Sequence, residues 1–409
     1  MDKRKVYIIV SFLIVFLIGG LVVWAIFIGR AQKKLAEPVE DLGYLDPGSS
    51  SGGGVFGGFF GSDSFDTDAK VSGEPASLQA QLRQLYNLPG AGTVIITNTD
   101  EVLIRFVDRA TGHVFEKNIG NDTTNRILQT TVPKVYEALF TEGGSGVIRR
   151  YLDENDEVVS VYDNLKEAAQ QKSVALEHNI RHMTVAPKGD ALFYLVETPQ
   201  GVSGVVAKQN GEDAESIWQS GLLGWLPLWE RDENITLVQK PSSNIPGSAY
   251  TIDTTSFAET PLLTQIKGLT VQPQPAGQFI LYSRAVSGSP TLWVQDTQTL
   301  VTRSLAVATF ADKCVWSVTS ETEVICALPD AFPDGEYPDA WHQGRVHFSD
   351  SFWRINVEDG ALTEILAPAR THRVLLDAVN LMLDDEEAHI LFTNNTDKTI
   401  WSISLVGED

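Results

Sequence analysis

Between Pro329 and Gly344 the chain gathers aromatics, carboxylates and turn-formers into one irregular stretch, Pro-Asp-Ala-Phe-Pro-Asp-Gly-Glu-Tyr-Pro-Asp-Ala-Trp-His-Gln-Gly. Tyr337, Asp339, Trp341 and His342 lie within it. A phenol, a carboxylate and an imidazole this close in sequence are the groups that general acid/base chemistry uses, and an indole can stack on a sugar or anchor a protein partner. The competing reading is structural, with Tyr337 and Trp341 turned inward to brace the fold. Trp225-Leu226-Pro227-Leu228-Trp229 poses the same choice, so Trp225 and Trp229 join the candidate binding residues.

Other constellations carry less. His178 and His182 have the spacing of two ligands on one helical face, but they precede an extended apolar segment and have no further His or Cys beside them. Asp153-Glu154-Asn155-Asp156 and Asp384 to Glu387 lack the glycine and ligand register of a calcium loop and read as solvated turns. There is no G-x-S-x-G elbow and no phosphate loop, since Gly143-Gly144-Ser145-Gly146 misses the final position. The sequence thus predicts no catalytic residue, no metal and no cofactor.

Charge narrows the partners. The chain carries 31 basic and 53 acidic residues. Setting aside the six basic and one acidic side chains of residues 1–34 leaves 25 against 52, a formal charge of −27. Such a surface repels nucleic acid and anionic lipid, and no basic stripe offers a phosphate track.

The elements that must position these residues are strands. After about residue 77, short apolar runs alternate with Gly, Pro, Asp and Asn, with helical periodicity suggested only over Leu165 to Leu176. The run Phe193-Tyr194-Leu195-Val196 recurs at Ile235, Phe279, Val324 and His389, at intervals of 42, 44, 45 and 65 residues. A second element recurs at Tyr250, Trp293, Trp353 and Trp401, at intervals of 43, 60 and 48. Both series hold one long interval in the same place, which marks an insertion between Pro329 and Ser349.

A period of about 40–45 residues built from four strands is the signature of propeller blades. The expected fold is therefore an all-β β-propeller over residues 77–409, with seven blades favoured and six or eight as alternatives. Blades are expected to start near Thr93, Lys134, Ile180, Leu226, Leu269, Ala311 and Leu375, with Trp293, Trp353 and Trp401 in the core. The seventh lacks an outer strand before the sequence ends. Residues 81–87 are the candidate donor that closes the ring, with a short edge helix as the alternative. Cys314 and Cys326 fall opposite each other across a hairpin turning near Ser320, close enough for a disulfide. That bond implies an oxidising compartment.

Val185-Ala186-Pro187-Lys188-Gly189-Asp190-Ala191-Leu192-Phe193-Tyr194 resembles the strand-turn-strand repeat of TolB-type, WD-like propellers, and Pro275-Ala276-Gly277-Gln278-Phe279-Ile280-Leu281-Tyr282 repeats it. Blade seven departs, with Asp384-Asp385-Glu386-Glu387 where the glycine turn belongs, so a different connection is expected there. The resemblance implies an extracytoplasmic protein-binding propeller.

The N-terminus sets the expected location. Val6 to Gly29 holds 17 Ile, Leu, Val or Phe residues in 24 and no charge, about 36 Å as a helix, enough to span a bilayer. The predicted layout is a cytoplasmic N-terminus over residues 1–5, a transmembrane helix over 6–29 contacting the lipid bilayer, a Gly/Ser-rich linker over 30–76, and the propeller outside. Three basic residues flank each end of the helix, so its direction rests on the exported character of the domain. This layout, too, is similar to that of membrane-anchored bacterial propeller proteins. The expected function is a non-enzymatic, protein-binding module of the cell envelope. A glycan- or peptidoglycan-binding module, or a propeller enzyme using Tyr337, Asp339 and His342, is the alternative.

Overall fold

A computed structural model describes residues 80–98, 101–166, 173–286 and 288–405. The expected transmembrane helix and linker lie outside these residues. Among the described residues no helix is long and apolar enough to cross a membrane.

Twenty-eight strands form seven four-stranded antiparallel sheets, the blades of a β-propeller. Blade one is β2–β5 (Gly90–Thr97, Val102–Asp108, Val114–Asn118, Thr124–Leu128) and blade two β6–β9 (Glu137–Phe140, Gly146–Leu152, Val158–Asn164, Val174–Ala175). Blade three is β10–β13 (Ile180–Val185, Ala191–Thr198, Gly201–Lys208, Glu215–Ser220) and blade four β14–β17 (Trp225–Arg231, Asn234–Gln239, Gly247–Asp253, Glu259–Ile266). Blade five is β18–β21 (Thr270–Pro273, Phe279–Val286, Ser289–Asp296, Thr302–Ser304) and blade six β22–β25 (Cys314–Trp316, Glu323–Pro329, Asp350–Asn356, Leu362–Leu366). Blade seven joins β26–β28 (Ala378–Leu383, His389–Asn394, Ile400–Ser404) to β1 (Gln81–Tyr86). The blades start within three residues of the expected positions.

The N-terminal β1 is the outer strand of the last blade, paired antiparallel with β28 from Gln81 opposite Ser404 to Gln84 opposite Trp401. Leu85, Leu391 and Ile400 of blade seven then pack on Ile104 and Phe106 of blade one. No blade edge is left open at the junction, which is how a propeller avoids an unpaired strand.

The recurring apolar runs are the second strand of each blade. Strand β11, for example, buries Leu192 through Leu195 on both faces because a neighbouring blade covers each side. The third strands hold the tryptophans, and here the expectation is corrected: Trp293, Trp353 and Trp401 are half-exposed. They lie across the strand from core residues such as Val294 and Ile403, and the indoles of Trp293 and Trp401 donate to the hydroxyls of Thr291 and Thr399.

Six hairpins share one turn, in which the fifth residue's N–H bonds the first residue's carbonyl: Asp108–Gly112, Asn118–Asp122, Asp253–Phe257, Asp296–Leu300, Asn356–Gly360 and Asn394–Lys398. The opening Asp or Asn side chain caps nearby backbone N–H groups, the Asx geometry, and the fifth residue takes a positive φ. The first-to-second-strand turns carry a correction. Blade seven uses the same connection as blade five, with Glu387 N–H on the Asp384 carbonyl as Gly277 N–H is on Gln274. Glu387 stands at φ 54° where blade five has Gly277 at 82°. A non-glycine residue there costs about 1 kcal/mol or more. Bonds from Ser317, Thr319 and Arg354 to the Glu387 carboxylate hold it in place.

Of the stretch suggested as helical, Val174–Ala175 is strand β9 and residues 167–172 lie outside those described. Cys314 and Cys326 face each other in register on β22 and β23 and are bonded.

Candidate functional site

Each blade sends its turns to two opposite faces. The turns joining first to second and third to fourth strands lie on one face, and those joining second to third strands, with the links between blades, on the other. Among the described residues of the first set stand fifteen acidic and two basic side chains; in the second set stand twelve acidic and nine basic, with five of the seven histidines. The charge of the domain is thus polarised across the disc. Antiparallel to β28, strand β1 starts on the acidic face.

The opposite face carries the twenty residues inserted between β23 and β24, residues 330–349. Tyr337 and Trp341, only 2% and 4% exposed, are turned inward into a cluster with Phe310, Ala340 and Phe348. Trp341 lies parallel to Phe310 at 5.0 Å between ring centroids. The bracing reading therefore holds for these two side chains, and neither indole nor phenol is offered to a ligand.

Under the cluster lies an ionic floor. Lys313, fully buried, donates to Asp377 at 2.6 Å and the Ala378 carbonyl at 3.0 Å and pairs with Asp350 at 2.8 Å. Its ammonium sits 4.9 Å from the Trp341 ring centroid and 5.4 Å from that of Phe348. Asp377 also accepts from the Trp341 indole at 3.0 Å and from Asn395, while His347 lies 3.4 Å away. One buried cation thus faces two carboxylates. Burial pushes the Asp350 carboxyl up to about 6 despite Lys313. Burial raises Asp377 too, but Lys313 and the indole outweigh it and hold that carboxyl below its ordinary value.

The insertion is tied down at its far end as well. Asp339 accepts the Ser243 backbone N–H at 2.6 Å, and Asn244 donates to Glu336 at 3.1 Å, joining the insertion to blade four. Burial raises the Asp339 carboxyl, yet the Ser243 bonds bring it below its usual value. His342 lies against Asp312, Nε2 to Oδ2 3.1 Å. Tyr337, Asp339 and His342 therefore each engage a different partner and do not converge as an acid/base set.

Trp225 and Trp229 are buried on the innermost strand of blade four, Trp225 donating to the Leu222 carbonyl. They are core, not surface. The strand buries every second residue from Trp225 to Trp229, but no alternation of apolar and polar residue types announces this in Trp-Leu-Pro-Leu-Trp. Of two further inner-strand residues, Glu230 was not anticipated, and His182, read above beside His178, lies on the first strand of blade three. Burial raises the Glu230 carboxyl, and burial followed by the charges of Arg150, Lys240 and Arg181 lowers His182 to about 4.

Beside His342 opens a cavity of about 540 Å³ lined by Asp312, His342, His347, Asn380, Asn395 and Lys398, with Trp341 at its wall. On the acidic face a second cavity, of about 610 Å³, is lined by Glu142, Tyr162, Lys166 and Asp190 and borders residues outside those described. The insertion-bearing face further exposes Leu222, Leu223 and Ile245, the last 71% exposed, on two loops at the same end of blade four. Among the described residues no three His, Cys, Asp or Glu side chains converge as metal ligands.

No family model and no curated protein matches this chain. Among solved structures it is similar to an oligogalacturonate lyase in complex with manganese, at 11% identity over 82% of this chain and 95% of that one, with a TM-score of 0.54. It is also similar to the GH74 enzyme of Niastella koreensis, at 12% identity over 78% of this chain and 53% of that one, TM-score 0.53. TolB from Acinetobacter baumannii is matched at 8% identity over 66% of this chain and 77% of that one, TM-score 0.42. At these identities the likeness is one of fold alone.

Proposed function

We propose that this chain is a protein-binding propeller of the cell envelope. In this reading residues 6–29 hold it in the cytoplasmic membrane, the domain lies outside, and the insertion-bearing face engages the partner. The observation that carries the reading is the insertion itself, fixed to blades four, six and seven. It brings twenty irregular residues and a cavity of about 540 Å³ to the face whose charge is nearer balance. Loops so positioned on a rigid scaffold are where binding is concentrated. The exposed Leu222, Leu223 and Ile245 supply apolar anchors beside it. The Cys314–Cys326 bond suits an oxidising compartment.

Like charge keeps the acidic face off anionic lipid.

A glycan-binding or enzymatic role is the second reading, favoured by the polar cavity beside His342. The aromatics it needs as sugar platforms, Tyr337, Trp341, Trp225 and Trp229, are buried. The test exchanges surfaces. Leu222 and Leu223 replaced together by Ser are expected to abolish capture of an envelope protein by the full-length chain. Leu300 and Val301, exposed on the acidic face, replaced by Ser are expected to leave it intact. Capture lost only in the second variant, or retention of polysaccharide alone, would overturn the proposal.

A further inference from the structure

The side chains of Lys313, Asp350 and Asp377 are fully buried. They come from segments that meet only in the closed ring: the turn before β22, the first residue of β24 and the link before β26. The Trp341 and Phe348 rings close over the Lys313 Nζ at 4.9 and 5.4 Å and keep water from it. A lysine nitrogen in hydrogen-bond contact with two carboxyls, in a site without bulk water, is a nucleophile held beside an acyl carbon.

The two carboxyls are held differently. Asp377 accepts from Lys313, from the Trp341 indole and from Asn395. Burial opposes its ionisation, but these donors prevail and keep it an anion. Asp350 meets Lys313 and the Ala378 N–H with one oxygen, Oδ2, at 2.8 and 2.6 Å. Its other oxygen, Oδ1, is buried and accepts no hydrogen bond among the described residues. A proton on that oxygen costs no existing bond, and burial pushes the carboxyl up to about 6, so a neutral fraction persists near neutral pH. One carboxyl is thus suited to act as base, and the other to be attacked.

We infer that Lys313 and Asp350 condense into an amide cross-link, with Asp377 as the base and the Ala378 N–H as the oxyanion donor. Asp377 takes a proton from the Lys313 ammonium, and the freed lone pair attacks Cγ of the neutral Asp350 carboxyl. Negative charge then develops on Oδ2, against the Ala378 N–H. The bond from Cγ to Oδ1 breaks, and the departing hydroxyl takes one proton from the nitrogen and leaves as water. Asp377 keeps the proton it received. An ammonium, a carboxylate and a carboxyl become an amide, a carboxyl and one water, and the buried charges disappear. His347 and Asn395 lie against Asp377 and line the cavity beside His342, which gives the water a way out. The bond fixes the residue that follows the insertion to the turn that opens blade six, next to the Cys314–Cys326 bridge. Chains not yet condensed keep the ion pair.

The test is the mass of the full-length chain, aged at neutral pH and then denatured. The aged chain should be lighter by one water than its sequence and disulfide require. Tryptic digestion should skip Lys313 and yield a branched peptide that joins it to Asp350. Lys313→Arg should keep full mass. Asp377→Asn leaves the nucleophile and the acyl carbon in place but removes the base, and it should slow the loss of water at least about a hundredfold. A cooperative unfolding transition in that variant shows that its fold is intact, and the branched peptide of the unaltered chain decides the matter if it is not. An aged chain of full mass that trypsin cuts at Lys313 overturns the inference. So does a branch to Asp377 in place of Asp350, or undiminished condensation in Asp377→Asn.

Discussion

The two faces of the disc solve the same problem, how to hold carboxylates, in opposite ways. On the acidic face most of them stand in short turns at the surface, and the buried ones are met from a neighbouring strand or turn, Glu387 by Ser317, Thr319 and Arg354 and Asp384 by His389. On the insertion-bearing face the central carboxylates are drawn into the protein, where Lys313 is shared by Asp350 and Asp377 beneath a layer of aromatics. The first arrangement tolerates change, since water screens it. The second makes the shape of a surface depend on one buried cation, and that is the device that turns twenty irregular residues into a defined structure.

The sharpest way to break this contrast is Lys313→Met. Two buried carboxylates lose their cation, and a loss of about 3–5 kcal/mol is expected in urea unfolding. Replacing Asp350 by Asn in the same chain should restore part of it. A loss within 1 kcal/mol would show that Lys313 does not hold the floor. Next in size is the staple beside it. Cys326→Ser opens a bridge between residues 12 apart in sequence and is expected to cost about 3 kcal/mol, read as a shift in midpoint that reductant reproduces in the unaltered chain.

Individual buried carboxyls should also answer pH in opposite directions. Asp350, raised from 3.8 to about 6 by burial, keeps its proton in the folded chain where the unfolded chain has released it, so its contribution weakens as pH climbs from about 4 to about 6. Asp384 and Glu387 behave in reverse. Burial opposes their ionisation, but the bonds from His389 and from Ser317 and Arg354 prevail and hold them below their ordinary values. Their contribution is present above about pH 4 and is lost as pH falls. Asp377 shares that second sign. Asp350→Asn should remove the first slope from a series of unfolding curves and leave the second; an unchanged profile would contradict the assignment.

The smallest effects separate tether from ornament. Asp339→Ala frees the Ser243 N–H and should cost about 1 kcal/mol. Asp385→Asn, in an exposed turn of the acidic face, should stay within about 0.5 kcal/mol. Equal costs for the two would erase the distinction between the faces.

Much of the architecture was legible because propeller strands carry period and composition in the chain itself. The interval of 65 residues located the insertion, the missing outer strand of blade seven pointed to residues 81–87, and the cysteines could be paired from hairpin register. The fate of Trp341 was not legible. Its burial depends on Lys313, Asp350 and Asp377, which in sequence look like ordinary surface charges on three separate segments. Only the closed fold brings them under the indole. The blade-seven turn was misread for a related reason, since the bonds that hold Glu387 in a glycine-like conformation come from blade six.

The claim that the insertion-bearing face meets the partner is tested most directly by a photoreactive amino acid placed singly at Leu223 and at Leu300 in the full-length protein in its own cells. The account predicts a discrete protein adduct from position 223 and none from position 300. An adduct from position 300 alone would place binding on the acidic face and contradict it.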